Sequence, residues 1–339
     1  MRLPVPVIVG PTAGGKTALS MGLVRLLRER GVAAEIVSAD SALIFRDMNI
    51  GTAKPTVAER EGVPHHLVDI LEPASAEKFT VHDWLDAARV AMESLSGRGA
   101  LPVVVGGTNL YVKGLLEGMF EGPKPDLMLR AELAELPTEE LRARLERADP
   151  EAAARIHAND TRRTIRALEV YLLTGTPISA LQRQWIERAP MQGVDRKVDR
   201  RFALIGLDWN IEGINRRINA RVRGMMEAGL EAEVHGLWTA GRLGQQACEA
   251  LGYKQLAVAF ETARTRGMPT APLPETLRED AVEQIKIETR RFAKNQRTWL
   301  RRLRMSAVRQ LWIDADSVDP GLWAGRALEH VLDGAWAED

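Results

Sequence analysis

The sequence predicts an α/β fold: a P-loop-containing parallel-sheet core with an all-helical insertion domain and a long basic C-terminal helix. Three observations predict it. A glycine-rich turn, Gly10-Pro11-Thr12-Ala13-Gly14-Gly15-Lys16-Thr17, lies between the apolar run Val5-Pro6-Val7-Ile8-Val9 and a helical pattern that opens at Ala18. Further apolar runs of strand length recur, and each closes on small or polar residues, as strands delivering loops to one sheet edge do. Between residues 127 and 173 the periodicity is helical, with no strand-like run before Phe202.

The first turn fits G-x-x-x-x-G-K-[ST] in its strand-to-helix context. Backbone N–H groups of such a turn and the positive end of the following helix converge on phosphate oxygens. Gly10, Thr12, Ala13, Gly14, Gly15, Lys16 and Thr17 therefore line the candidate cradle, with Lys16 adding a point charge and the Thr17 hydroxyl suited to Mg²⁺. The turn alone does not say whether the phosphate belongs to a nucleotide.

The second strand, residues 34–38, ends in Ala39-Asp40-Ser41, which places Asp40 at the edge that carries the glycine turn. Asp40 can act as a general base, as a partner of Thr17 for Mg²⁺, or as an N-cap or Asx-turn carboxylate. Residues 49–55 are turn-rich and show no periodicity. His65 and His66 sit in a short extended piece where neighbours point to opposite faces, which favours packing over metal binding. Residues 81–95 form an amphipathic pattern. The run Leu101-Pro102-Val103-Val104-Val105 is apolar enough for a central strand, and it ends in Gly106-Gly107-Thr108, aiming Thr108 at the same crevice.

Glycines and prolines over residues 118–125 give the first strong linker signal. The chain accordingly divides into a first part of the core (1–122), a helical insertion (123–200) and a completion of the core with the C-terminal helices (201–339). Helical stretches at 127–148 and 150–173 fill the insertion, with turns at Gly175-Thr176-Pro177 and Pro190-Met191-Gln192-Gly193. Arg155, His157, Arg162, Arg163 and Arg166 give it a basic face. After the strand at 202–207, Asp208-Trp209-Asn210 caps a long helix whose second face carries Arg216, Arg217, Arg221 and Arg223. The last long helix, about 277–303, is followed by a short strand near 308–316 and a tail without marked features. From Lys286 to Arg304 it sets Lys286, Arg290, Arg291, Lys294, Arg297, Arg301, Arg302 and Arg304 against the single acid Glu288, with Phe292 and Trp299 interleaved. That pattern suits a nucleic-acid backbone.

Composition narrows the function classes. Hydrophobic residues are 45% and charged residues 27% of 339, ordinary values for a soluble globular chain. No apolar run reaches membrane-spanning length and no signal-peptide pattern precedes the first strand, so a cytoplasmic protein without membrane contact is expected. Cys248 is the only cysteine, which excludes intrachain disulfides and cysteine-built zinc sites. With no base in sight, its thiol reads as inert.

Taken together, several segments resemble one family. They are the glycine turn 10–17; Ser38-Ala39-Asp40-Ser41; Met48-Asn49-Ile50-Gly51-Thr52-Ala53-Lys54-Pro55; Pro64-His65-His66; Val105-Gly106-Gly107-Thr108 with Leu110-Tyr111; Arg163-Thr164-Ile165-Arg166-Ala167-Leu168-Glu169; Gly229-Leu230 with Glu233-Val234; Leu251-Gly252-Tyr253; and Gln296-Arg297-Thr298-Trp299. In order and spacing they are similar to the tRNA dimethylallyltransferases, also called tRNA isopentenyltransferases, from the glycine turn to about Arg301. Two departures are small: Gly15 stands where the family usually has Ser, and Phe45 where Tyr is common.

The resemblance implies that the turn holds the pyrophosphate of dimethylallyl diphosphate, with no nucleoside triphosphate consumed. It implies Mg²⁺ at Thr17 and attack by N6 of adenosine 37, in a tRNA anticodon stem-loop, on the allylic C1. By the same resemblance Asp40 orients and deprotonates the amine, while Arg221, Thr108 and Arg130 contact the transition state. The implied tRNA contacts are Asp40, Ser41, Ala42, Leu43, Arg162, Arg163, Arg166, Cys248, Gly252, Tyr253, Lys294, Gln296, Arg297, Trp299 and Arg301. Cys248 thus reads as a contact and not as a nucleophile. A monomer is expected, since nothing in the apolar pattern demands a dimer. Two other functions compete: an ATP-using P-loop small-molecule kinase, which leaves the basic aromatic-bearing helix unexplained, and a non-catalytic RNA-binding protein, in which Asp40 is dispensable.

Overall fold

The computed structural model describes residues 2–119, 122–188, 199–306 and 308–335. The expected turn at 190–193 lies outside the described residues. Contacts divide the chain into two units, Met1–Leu116 with Val198–Asp339, and Glu117–Lys197.

The first unit is built on six parallel strands: β1 (Val5–Val9), β2 (Ala34–Ser38), β3 (His65–His66), β4 (Leu101–Gly106), β5 (Asp199–Asp208) and β6 (Val308–Asp314). Their order in the sheet is β3-β2-β4-β1-β5-β6, with pairings such as Val7 to Val104 and Val7 to Leu204. β1 is thus central, and β4 and β2 lie in sequence beside it. The loops after β1, β4 and β2 consequently emerge next to one another at the carboxyl edge, where open α/β sheets bind ligands.

Each strand residue chooses its face by parity. Ile8, Ile36, Val103, Ala203 and Ile205 pack on one side against Leu19, Leu23 and Leu27 of α1 (Lys16–Glu29). Val7, Val9, Val37, Val104 and Leu204 pack on the other against Trp84 of α2 (Val81–Gly97) and Tyr111 of α3 (Asn109–Glu117). Burial on both faces explains why these strands read as continuous apolar runs.

In the second unit, α4 (Leu127–Ala134), α5 (Thr138–Ala148), α6 (Pro150–Arg155), α7 (Thr161–Thr174) and α8 (Ile178–Arg188) surround a small core of Leu133, Leu141, Leu145, Ala153, Ala167 and Leu168. The two helical stretches expected from periodicity are each broken once more than the pattern suggested. Pro137 stands at the start of α5, and Asp160 caps α7 by accepting the Arg163 N–H at 3.1 Å. Proline and local caps end helices that apolar spacing alone would continue.

The first unit resumes with α9 (Ile211–Glu227), α10 (Leu230–Thr239), α11 (Gln245–Cys248), α12 (Tyr253–Thr265) and α13 (Glu275–Leu303). They form a further core in which Ile214, Ile218, Val234, Tyr253, Phe260 and Ile285 meet Ile44 and Met48. The tail is not featureless: α14 (Pro320–Leu332) sends Trp323, Leu328 and Val331 into the core beside α1. Its signal was present in the Asp319 cap, Pro320 at the first helical position and the spacing of Trp323, Ala327 and Val331.

Where β4 meets the β2 loop, a Cβ on Gly106 would stand 2.0 Å from the Ala39 carbonyl oxygen. Gly106→Ala is therefore expected to lower stability by roughly 1–3 kcal/mol, as overpacking does. A denaturant titration checks it, and an unchanged midpoint would contradict the close approach.

Candidate active site

The glycine loop is shaped from outside. Trp209 Nε1 donates to the Gly14 carbonyl at 3.0 Å, and Arg217 Nε donates to the Ala13 carbonyl at 2.7 Å. The Arg217 guanidinium lies 4.9 Å from the Trp209 ring centroid, and Trp209 meets Trp323 edge to face. Carbonyls held this way face away from the α1 N-terminus, where a helix favours an anion, while the Thr12 and Gly14 amides are themselves taken by Gln296 and by the Pro11 carbonyl. Gly15 adopts φ +95°, and a Cβ there would stand 2.8 Å from Trp323. A side chain at this position, such as the Ser the resemblance leads one to expect, would thus press on an indole from α14.

On the inner side the loop is tied to the β4 turn by one side chain. Gln296 Oε1 accepts the Thr12 N–H at 2.8 Å, and its Nε2 donates to the Gly107 carbonyl at 2.8 Å. Gln296 is 2% exposed and serves here as a buried strut between the two loops. Thr108 ties the next loop: its N–H donates to the Ala39 carbonyl at 3.1 Å, and its Oγ1 accepts the Ser41 N–H at 2.9 Å.

Three charges meet between these loops. Lys16 Nζ donates to the Gly10 and Pro11 carbonyls at 3.0 and 2.9 Å. Burial pulls its ammonium down to about 8, against the attraction of Asp40 and with repulsion from Arg221. Arg221, on α9, donates to the Thr52 carbonyl at 3.2 Å, and burial lowers its pKa while Asp40 opposes the shift. Asp40 Oδ1 accepts the Ala42 N–H at 2.9 Å. One of the alternatives for this carboxylate is therefore seen directly: it closes an Asx turn, and its charge acts on Lys16 and Arg221. Beneath it Tyr111 stacks on Trp84 with centroids 4.7 Å apart, and burial, with Asp40 adding to it, raises the Tyr111 pKa.

Thr17 is exposed on the first turn of α1. Among the described residues no group of three His, Cys, Asp or Glu could hold a metal. A hydroxyl beside a phosphate cradle fits Mg²⁺ that arrives with phosphate oxygens, since this ion keeps most of its ligands from water and substrate.

Other expected contacts are distributed as follows. Lys294 and Arg301 are exposed and Arg297 half-buried on α13; these three and Arg302 have no carboxylate partner among the described residues. Trp299 lies between Lys113 and Arg302, 5.8 and 5.5 Å from its centroid. Two of their neighbours are neutralised, Arg290 by Glu283 two turns earlier on α13 and Arg304 by Asp208, remote in sequence. Ser41, Ala42 and Leu43 are half-buried at the site edge. Cys248 is half-buried, and burial raises its thiol pKa, in keeping with an inert group.

Gly252 and Tyr253 are buried, and the Tyr253 hydroxyl donates to Glu233 at 2.5 Å. In the helical unit Arg162 and Arg163 are exposed. Arg166 is instead occupied by Glu169 and the Pro123 carbonyl. Arg130 makes two 2.8 Å hydrogen bonds to the same fully buried Glu169. A buried carboxylate needs such partners to stay ionised, which is why both arginines are drawn to it. Sequence reasoning did not single out Trp209, Arg217 or Trp323 for the site. Only Arg217 carried a signal, as one of the α9 arginines noted for their face.

An anion at the loop stabilises the charged form of Lys16 and raises its lowered pKa. Binding above about pH 8 therefore takes up a proton. Calorimetry of inorganic pyrophosphate near pH 8.5, in two buffers of unlike ionisation enthalpy, is expected to show roughly half a proton more taken up by wild type than by Lys16→Arg, whose guanidinium stays charged. Equal uptake would place Lys16 away from the anion.

A family model for IPP transferase matches residues 43–303. Curated tRNA dimethylallyltransferases from Shouchella clausii and Geobacillus kaustophilus are 42% and 39% identical, the first over 88% of each chain and the second over 97% of this chain and 95% of its own. Among solved structures, a full-length tRNA isopentenylpyrophosphate transferase from Bacillus halodurans aligns with TM-score 0.63 and 33% identity over 98% of both chains. A eukaryotic dimethylallyltransferase acting on tRNA aligns with TM-score 0.71 and 25% identity over 92% of this chain and 74% of its own. The match begins just past Asp40 and runs through the loop at 48–55, the arginines of α9 and the basic helix, and it shows that this chain belongs to the IPP transferase family.

Proposed function

We propose that the chain transfers a dimethylallyl group from dimethylallyl diphosphate to N6 of adenosine 37 in tRNA and releases diphosphate. The observation that carries this reading is the opposition of Asp40 to Lys16 and Arg221 at the mouth of the glycine loop. An exocyclic amine is a weak nucleophile and needs a carboxylate to orient it and accept its proton; Asp40, fixed through Oδ1, presents its other oxygen for that task. As the allylic C–O bond breaks and the C–N bond forms, negative charge grows on the diphosphate. Lys16, Arg221 and the loop amides receive it in a preorganised setting. Thr17 would hold Mg²⁺, which supplies further charge neutralisation at the leaving group. Arg130, anchored on Glu169 within the helical unit, is assigned the remaining transition-state contact together with Thr108.

The acceptor is read as an anticodon stem-loop, whose adenine leaves its stack to expose N6. Lys294, Arg297, Arg301 and Arg302 around Trp299 make a surface for its backbone on α13, and Arg162 and Arg163 are further candidate contacts carried by the helical unit. Family membership and the cations of α13 that lack a carboxylate partner among the described residues favour this reading over the ATP-using kinase.

Incubation with dimethylallyl diphosphate and an unmodified anticodon stem-loop is expected to add one five-carbon prenyl group to the RNA by mass; ATP hydrolysis without that gain would refute the reading. Asp40→Asn is expected to slow transfer by about 10²–10⁴-fold while RNA affinity stays near wild type. Single-turnover rates with a parallel binding titration check this, and a wild-type rate in the variant would remove Asp40 from the chemistry. Lys294→Ala and Arg301→Ala are each expected to weaken stem-loop binding and flatten the slope of log affinity against log salt by about one unit; an unaltered slope would remove that helix from the interface.

A further inference from the structure

Residues 49–55 showed no periodicity and no chemistry of their own, yet the fold gives them a defined shape. Three successive amides, of Asn49, Ile50 and Gly51, turn towards one carboxylate, Glu233, at 3.0, 2.9 and 3.3 Å. Consecutive N–H groups arranged in this way form an anion nest, and the occupant here is a side chain of the protein itself. Glu233 lies in the first turn of α10, where a helix favours negative charge. Its Oε1 also accepts the Tyr253 hydroxyl at 2.5 Å.

The loop is closed on itself and on the sheet. Thr52 Oγ1 donates to the Met48 carbonyl at 2.7 Å, and the buried Lys54 ammonium donates to the Phe45 carbonyl at 2.7 Å and to Asp69. Gly51 has no alternative: a Cβ there would stand 2.4 Å from the Tyr253 ring. The result of this clamping is a single carbonyl, that of Thr52, set where the Arg221 guanidinium donates to it. Among the described residues Arg221 makes no ion pair, although Asp40 attracts it. Its place in the site therefore depends on a carbonyl that Glu233 and Tyr253 hold from the far side of the loop.

We infer that Glu233, with Tyr253, is a positioning residue for the leaving-group arginine: it sets the 49–52 turn, and through the Thr52 carbonyl it sets Arg221. This rests on the prenyl-transfer reading given above. Because Tyr253 opens α12 and directly follows the short α11 that ends at Cys248, the same clamp joins the loop to the segment expected beside the RNA.

The test uses the full chain with Glu233→Gln, Tyr253→Phe, Arg221→Gln and the Glu233→Gln/Arg221→Gln double variant. Glu233→Gln is expected to lower single-turnover prenyl transfer by roughly 10- to 100-fold, as misplacement of a catalytic group does, and to weaken inorganic pyrophosphate binding by a similar factor. KM for the stem-loop is expected to change less than about threefold, because uniform RNA binding is untouched. Tyr253→Phe, which removes one hydrogen bond and little volume, is expected to act in the same direction and less. In the Arg221→Gln background, Glu233→Gln is expected to cost less than about twofold further, since residues acting through one another are not additive. Multiplying losses in the double variant, or a Glu233→Gln protein with wild-type rate and pyrophosphate affinity, would overturn the inference. If wild type adds no prenyl group, the functional reading falls, and the pyrophosphate titrations still decide the clamp.

Discussion

An amide that is to meet an anion must be turned outward, and its own carbonyl must then find a donor elsewhere. The glycine loop after β1 lives under that constraint, and much of the first unit answers to it. Trp209 and Arg217 take the carbonyls of Gly14 and Ala13, Lys16 takes those of Gly10 and Pro11, and Gln296 fixes the Thr12 amide against the β4 turn. These partners come from the start of α9, from α13 and from the loop itself, with Trp323 of α14 closing the rear. Elements separated by about three hundred residues are therefore required to hold eight residues in shape. The Gly15 departure belongs to the same arrangement, since a side chain there would press on the indole.

The second constraint is electrostatic. Burial lowers the pKa of both Lys16 and Arg221, and Arg221 adds a repulsion on Lys16. Asp40 offsets part of that cost. In the proposed reaction a diphosphate would bring more negative charge than Asp40 supplies and would leave the carboxylate to act on the acceptor. The helical unit solves a simpler version of the problem: Glu169 is fully buried and takes Arg130, Arg166 and the Asp126 amide as partners.

Much of the fold was legible, because its signals are local. Continuous apolar runs located the main strands, the short extended piece at His65 and His66 is β3, and the turn after β1 carries its own motif. Charge alone located the cations of α13. What it could not do was tell free cations from spent ones: Arg290 and Arg304 are paired by Glu283 and by Asp208, and the latter lies nearly a hundred residues away. The bonds of Gln296 to the glycine loop and of Tyr253 to Glu233 were not legible for a related reason. A glutamine or tyrosine in a family-like segment looks the same whether its polar end meets RNA or a buried backbone group, and only burial distinguishes the two. The tail was passed over because α14 has no functional motif, although its caps and spacing were ordinary helix signals.

By itself the sequence determined which local devices exist: a strand-turn-helix cradle, carboxylate and threonine at neighbouring strand ends, a basic amphipathic helix, and a glycine at each point of close approach. Those follow from short-range sterics and periodicity, which a dozen consecutive residues suffice to express. The tertiary structure decided which polar group each device is bonded to. Glu233 and the amides of residues 49–51 are distant in sequence, as are Gln296 and Thr12, and their pairing is set by how helices pack at the sheet edge. A hydrogen bond between remote residues leaves no periodic trace, so the placement of Arg221 and the shape of the cradle appear only once the chain is folded.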